Sequence, residues 1–150
     1  MLDHTQRSER CGWGASQVIA YLNANIVIYV VEQNPTWGPK ATARIQQLRS
    51  QGDSLAISDL SRLECIVGPL KKGNMQLLAI YQQFFTQPDV QVLPLLPVVC
   101  DRAARIRAAY GFPTVDSLHL AAAVEHGCGL FLTLDLRLRR CTDITVEILS

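Results

Sequence analysis

The sequence predicts an α/β domain: a mostly parallel central sheet of four to five strands with helices on both faces. Three observations predict it. Short apolar, partly β-branched runs bounded by turn residues recur along the chain. Segments with the apolar spacing of amphipathic helices separate them. Strands that alternate with helices join through right-handed crossovers, which build a parallel sheet covered on both sides. With 150 residues, 49% hydrophobic and 18% charged, the chain suits one domain with a sizeable core. It contains no internal repeat, low-complexity tract or interdomain linker.

Residues 1–16 show no periodicity, so the domain is expected at 18–150, behind an extension of residues 1–17. The apolar stretch Val18–Glu32 is too long for one strand. Val18–Leu22 reads as a buried strand and Asn25–Val31 as a helix, with Asn23 at the turn between them and Asn34-Pro35 ending the helix. Lys40–Ser50 places Ala41, Ile45 and Leu48 on one helical face. Gln51-Gly52-Asp53 turns into a second strand, Leu55–Ile57. Ser58 or Asp59 then caps a helix that carries Leu60, Leu63, Ile66 and Val67, with Leu60 and Leu63 facing the core, and that stops at Gly68-Pro69. A helix over Asn74–Phe85 precedes a third strand, Val90–Leu93. Pro97 opens a helix through Ala109, broken by Gly111. Pro113 and Thr114 open the helix TVDSLHLAAAVEH, which ends at Gly127. Leu130–Thr133 is the fourth strand, and the alternating Ile144–Leu149 suits a fifth at an edge.

A net charge of +1 neither marks nor excludes a nucleic-acid binder, because a local patch can do that work. Cys11, Cys65, Cys100, Cys128 and Cys141 lack the close spacing of a zinc or redox motif and read as free thiols in a reducing compartment. The N-terminus is polar and charged, unlike a secretory signal. The run Val18–Val31 is shorter than the roughly 20 apolar residues of a membrane span. A cytoplasmic protein is expected.

In open parallel sheets the functional crevice lies beyond the carboxyl ends of the strands. Asn23, Glu64, Asp116 and Asp135 all fall just after a strand or near a helix start. Each has an ordinary explanation. Asp116 suits the dipole of its helix, a contribution of about 0.3–1 kcal/mol. Asp135 suits a turn. Glu64, in LSRLECIV, suits a salt bridge to an arginine. Asn23 and Asn25 interrupt an apolar run, and a buried amide without partners costs about 1–3 kcal/mol. Taken together, the four positions suggest a polar cleft whose carboxylates converge on hard cations such as magnesium or manganese, which favour oxygen ligands. Such ions support phosphodiester cleavage.

The segments YLNANIVIY, SDLSRLECIVGPLK, TVDSLHLAAA and FLTLDLRL occur in that order. In them the chain resembles the PIN-domain family, and specifically the VapC-like toxin ribonucleases of bacterial type II toxin–antitoxin pairs. The family pattern is a strand ending in Asp-x-Asn before an apolar helix, a Glu in a helix after a Ser-rich turn, an Asp opening a D-x-L-H-L-A-x-A helix, and a strand ending in T-x-D. The resemblance runs from about Val18 to the C-terminus. It implies a PIN-like three-layer sandwich and a magnesium-dependent endoribonuclease, with manganese as the alternative ion. Its partners would be an RNA substrate, a cognate antitoxin protein and a second copy in a homodimer. Glu64, Asp116 and Asp135 match the acidic catalytic and metal positions, and Asn23 stands at the remaining metal position. Asn25 matches a supporting Asn that bonds neighbouring site groups. Ser58 or Thr133 could orient a carboxylate or a water, although capping explains both. His119 lies on the face of Asp116 and reads as a packed histidine rather than a ligand. Near this acidic site Arg137, Arg139 and Arg140, with Lys71 and Lys72, are candidates for RNA phosphates, although a solvated charge run explains them too. The family's antitoxin groove lies between early helices, where Trp37, Ile45 and Leu48 are candidates alongside their role as core.

The chain departs from the pattern where Asn23 replaces the first Asp and where Leu134 replaces the polar residue common in T-x-D. Three carboxylates instead of four should weaken ion binding. The alternative is therefore an impaired PIN domain that binds RNA or antitoxin without cleaving. A receiver-like phosphoacceptor domain would want an Asp at the end of strand three, which Val90–Leu95 lacks.

Overall fold

The structure, a computed structural model, describes residues 17–150. The expected extension, apart from Gln17, and Cys11 lie outside the described residues. The elements are β1 (Ile19–Leu22), α1 (Ala24–Val31), α2 (Gly38–Ser50), β2 (Ser54–Ser58), α3 (Asp59–Lys72), α4 (Met75–Phe85), β3 (Val90–Leu93), α5 (Pro97–Tyr110), α6 (Thr114–Glu125), β4 (Leu130–Thr133), a 3-10 turn (Leu136–Arg140) and β5 (Val146–Ile148). The five strands form one sheet in the order β3-β2-β1-β4-β5, and every pairing is parallel. The expected fifth strand lies at the edge beyond β4.

Strand alternation divides the core into two layers. Ala20, Leu22, Leu55, Ile57 and Leu132 pack on one face with residues of α1 to α4. Tyr21, Ala56 and Phe131 pack on the other with α5 and α6. β1 is buried on both faces, which explains its unbroken apolar run. From β1 the chain proceeds outward to β2 and β3, then crosses back to β4 on the other side of β1. The switch point therefore lies between β1 and β4, and a crevice is expected beyond their carboxyl ends. Asn23 follows β1 directly there, and its backbone N–H donates to Leu132 O at 2.9 Å.

Two expectations about α3 are corrected. The helix does not stop at Gly68-Pro69 but runs through them to Lys72. Pro69 removes one helical N–H, yet it is buried, and the stop falls at Gly73, whose φ of 66° suits a residue without a side chain. There the N–H groups of Gly73 and Asn74 satisfy the carbonyls of Leu70 and Pro69. Leu63 does not face the core: it is 62% exposed, because the buried stripe runs through Leu60, Ser61, Cys65 and Pro69 instead. Ile45 and Leu48, considered for a partner groove, are core residues, and Trp37 is only partly buried. A groove of about 390 Å³ does lie between α1 and α2, lined by Val30, Pro35, Pro39 and Ala43 among others. Among the described residues no helix is long and apolar enough to cross a membrane.

Candidate active site

Asn23 ends β1 and caps α1. Its Oδ1 accepts from Ala24 N at 2.9 Å, and its Nδ2 donates to Thr133 Oγ1 at 2.8 Å. This satisfies the amide in the apolar run: both polar atoms are partnered in a residue only 6% exposed. Thr133, at the end of β4, also accepts from Asp135 N at 3.1 Å. One hydroxyl thus joins the ends of the two central strands and sets the backbone that carries Asp135. Asn25, expected to bond neighbouring site groups, instead has a buried Oδ1 with no partner among the described residues.

Asp135 accepts from the backbone N–H of Arg137 at 3.0 Å, as its turn position suggests. It also accepts from the Arg137 guanidinium at 3.0 and 2.6 Å. The same guanidinium reaches Asp116 Oδ2 at 3.3 Å. Asp116 lies in the first turn of α6. Burial pushes its carboxyl above the usual carboxylate range, and the neighbouring Asp135 charge adds to the rise. Arg137 holds the Asp135 carboxyl below its usual value.

Glu64 projects from α3. Its Oε1 lies 2.5 Å from His119 Nε2. His119 is three residues beyond Asp116 on α6, so the two side chains share a helical face. The other ring nitrogen, Nδ1, lies 2.7 Å from the Tyr21 hydroxyl, which in turn lies 2.8 Å from Ser58 Oγ. Ser58 also forms a capping box with Ser61 at the start of α3. The capping role expected of Ser58 is present, and it comes with a bond to Tyr21. Tyr21 was not singled out in the sequence, although a tyrosine in a fully buried strand signals a hydroxyl in need of a partner.

The structure therefore brings Asn23, Glu64, Asp116 and Asp135 to the same end of the sheet without closing them around one point. Among the described residues no three acidic, His or Cys side chains are placed to hold an ion together. Arg137 sits between Asp116 and Asp135, and Glu64 is turned to His119. The residues nonetheless fit a hard cation. The donors are three carboxylates at the same end of the sheet, and a guanidinium stands as the positive charge between two of them. The three arginines expected to meet RNA phosphates have different surroundings. Arg137 is engaged with the acids. Arg140 donates to Tyr110 O at 2.9 Å and lies over the Phe112 ring. Arg139 is exposed and makes no hydrogen bond or ion pair among the described residues.

A sequence model of the PIN domain family matches residues 20–143. The chain belongs to the PIN domain family. Proteins of this family are generally metal-dependent nucleases. Solved structures share the fold of this PIN domain. VapBC2 from Rickettsia felis, bound to a promoter DNA fragment, is 17% identical with a TM-score of 0.73, over 88% of this chain and 99% of that one. VapBC-1 from nontypeable Haemophilus influenzae is 23% identical with a TM-score of 0.68, over 87% and 97%. A sarcin-ricin loop cleaving VapC toxin of Mycobacterium tuberculosis is 11% identical with a TM-score of 0.59, over 75% and 86%. Comparison with curated proteins finds no match. The PIN-like three-layer sandwich implied by the four sequence segments is the fold observed.

Proposed function

We propose that this PIN domain is a magnesium-dependent endoribonuclease, with manganese able to substitute, acting as the toxin of a toxin–antitoxin pair in the cytoplasm. The observation that carries the reading is the placement of Glu64, Asp116 and Asp135, from three separate elements, at the same end of the sheet beside its switch point. These three carboxylates would hold the ion, with Asn23 beside them. When bound, a divalent ion supplies Lewis-acid charge for hydrolysis of a phosphodiester.

The chain's own residues do the rest. Asn23 and Thr133 lock the backbone beneath Asp135. Arg137 pairs with Asp135 and Asp116, and its guanidinium would serve an RNA phosphate where a cation balanced those carboxylates. Arg139, exposed next to it, extends the basic edge. Solved relatives that are VapBC complexes support a cognate antitoxin as partner and a toxin's role for this chain. A homodimer is part of the same proposal. The test is cleavage of a mixed RNA pool: products expected with magnesium, none with EDTA, and none from Asp116→Asn.

One observation favours a second reading. Where the family pattern has an acid, Asn23 is an amide whose two polar atoms are both used inside the fold. An impaired PIN domain that binds RNA or antitoxin without cleaving would show magnesium-independent RNA binding and no products.

A further inference from the structure

Of the three candidate ligands, Glu64 alone is held from behind by the protein interior. The path to it runs Ser58, Tyr21, His119, Glu64, and its first three members are at most 1% exposed. It begins at the capping box of α3 and returns to α3 at Glu64, having crossed β1 and α6. Apolar residues at positions 21 and 119 would fill this core without desolvating polar groups, so a buried chain of this length needs a reason.

The geometry gives one. The Tyr21 hydroxyl donates to Ser58 Oγ at 2.8 Å, and its oxygen faces His119 Nδ1 at 2.7 Å. The other ring nitrogen, Nε2, faces Glu64 Oε1 at 2.5 Å. The imidazole is thus held through both nitrogens, and the carboxylate is held by the imidazole.

We propose that His119, oriented by Tyr21 and Ser58, is a positioning residue that fixes the Glu64 carboxylate for cation binding. This inference rests on the proposed reading of Glu64 as a cation ligand. One carboxylate oxygen is occupied by the imidazole and the other is left for the cation. Because His119 and Asp116 share a face of α6, the same contact also sets the distance between the helices that carry Glu64 and Asp116. The cleft's width is thereby fixed by hydrogen bonds anchored in the interior. Partners in this outer layer commonly contribute 10–100-fold to metal affinity.

The test is calorimetric titration with manganese alone, alongside melting in EDTA, for wild type, His119→Leu, His119→Gln and Tyr21→Phe. His119→Leu should weaken binding by about tenfold or more at a nearly unchanged melting temperature, since Glu64 is partly exposed and water can take over its oxygen. His119→Gln keeps an N–H at similar reach and should restore most of the affinity. Tyr21→Phe keeps the ring stacked on Phe131 and should weaken binding severalfold. Wild-type affinity in His119→Leu, or in Tyr21→Phe should the leucine variant not fold, overturns the proposal. A histidine that merely fills the core would change melting and leave affinity alone. Absence of manganese binding in wild type would instead overturn the metal reading of the cleft.

Discussion

Glu64 and the Asp116–Asp135 pair face the same cleft with opposite kinds of support. Behind Glu64 stands a buried line of hydrogen bonds through His119 and Tyr21 to Ser58. Between Asp116 and Asp135 stands Arg137, an exposed guanidinium on the 3-10 turn. The first kind of support costs desolvation once, on folding, and then holds its group still. The second cancels charge at little cost, because an exposed pair contributes only about 0–1 kcal/mol and can be exchanged. A site built this way has one wall held from the interior and one held by an exchangeable surface pair.

The sharpest way to break the comparison is Asp116→Asn. RNA cleavage should fall by more than about a hundredfold, beyond the loss typical of outer-layer partners, as read by product formation on gels. Melting in metal-free buffer should not fall. Burial raises the Asp116 carboxyl pKa in the fold, so its ionised form lowers stability above that pKa, and removing the charge relieves the cost at neutral pH. A large drop in melting temperature would mark Asp116 as structural.

Asn23→Asp should come next in size. A carboxylate near the cation adds a full charge in a partly desolvated cleft, where two charges 4 Å apart interact by about 4 kcal/mol at an effective dielectric of 20. Part of this is lost to repulsion in the empty site. The substitution also removes the N–H that Asn23 donates to Thr133, although the Thr133 hydroxyl can turn and donate to the new carboxylate instead. Magnesium affinity should rise about tenfold, measured calorimetrically, with faster cleavage. Tighter binding with no gain in cleavage would favour the binding-module reading.

Smaller effects are expected on the exchangeable wall. Arg137→Gln removes the standing cation, so magnesium should bind up to about fivefold more tightly without RNA, the size of an exposed pair of roughly 1 kcal/mol. An unchanged affinity would mean that Arg137 does not compete for the site. Arg139→Gln should lower RNA affinity slightly and reduce the slope of log affinity against log salt by about 0.7, as read by binding across a salt series.

How much of this was legible in the sequence follows from the range of the interactions. Val90–Leu93 and Leu130–Thr133 are strands as the local apolar runs indicate. The rule that the crevice lies beyond the carboxyl ends of the strands placed Asn23 and Asp135 at that end of the sheet. Local patterns misled in α3, where the burial of Pro69 outweighs its helix-breaking tendency and Leu63 turns to solvent. The partners of the site residues are distant in sequence and leave no local mark. Asn23 is satisfied by Thr133 across the sheet, and Glu64 by His119 from another helix. His119 reads as a packed histidine because packing is the commoner fate. Only the structure adds that its second nitrogen faces Glu64. Arg137 likewise reads as a phosphate contact until its turn folds back onto Asp135.

The central claim is that Glu64, Asp116 and Asp135 share one ion despite their unlike supports. Calorimetric titration with manganese of wild type, Glu64→Gln, Asp116→Asn and the double variant tests it directly through a double-mutant cycle. A shared ion predicts that each single change removes most of the affinity and that the double change costs much less than the sum. Additive losses, or wild-type affinity in either single variant, would mean that the two walls do not serve one ion and would contradict the account.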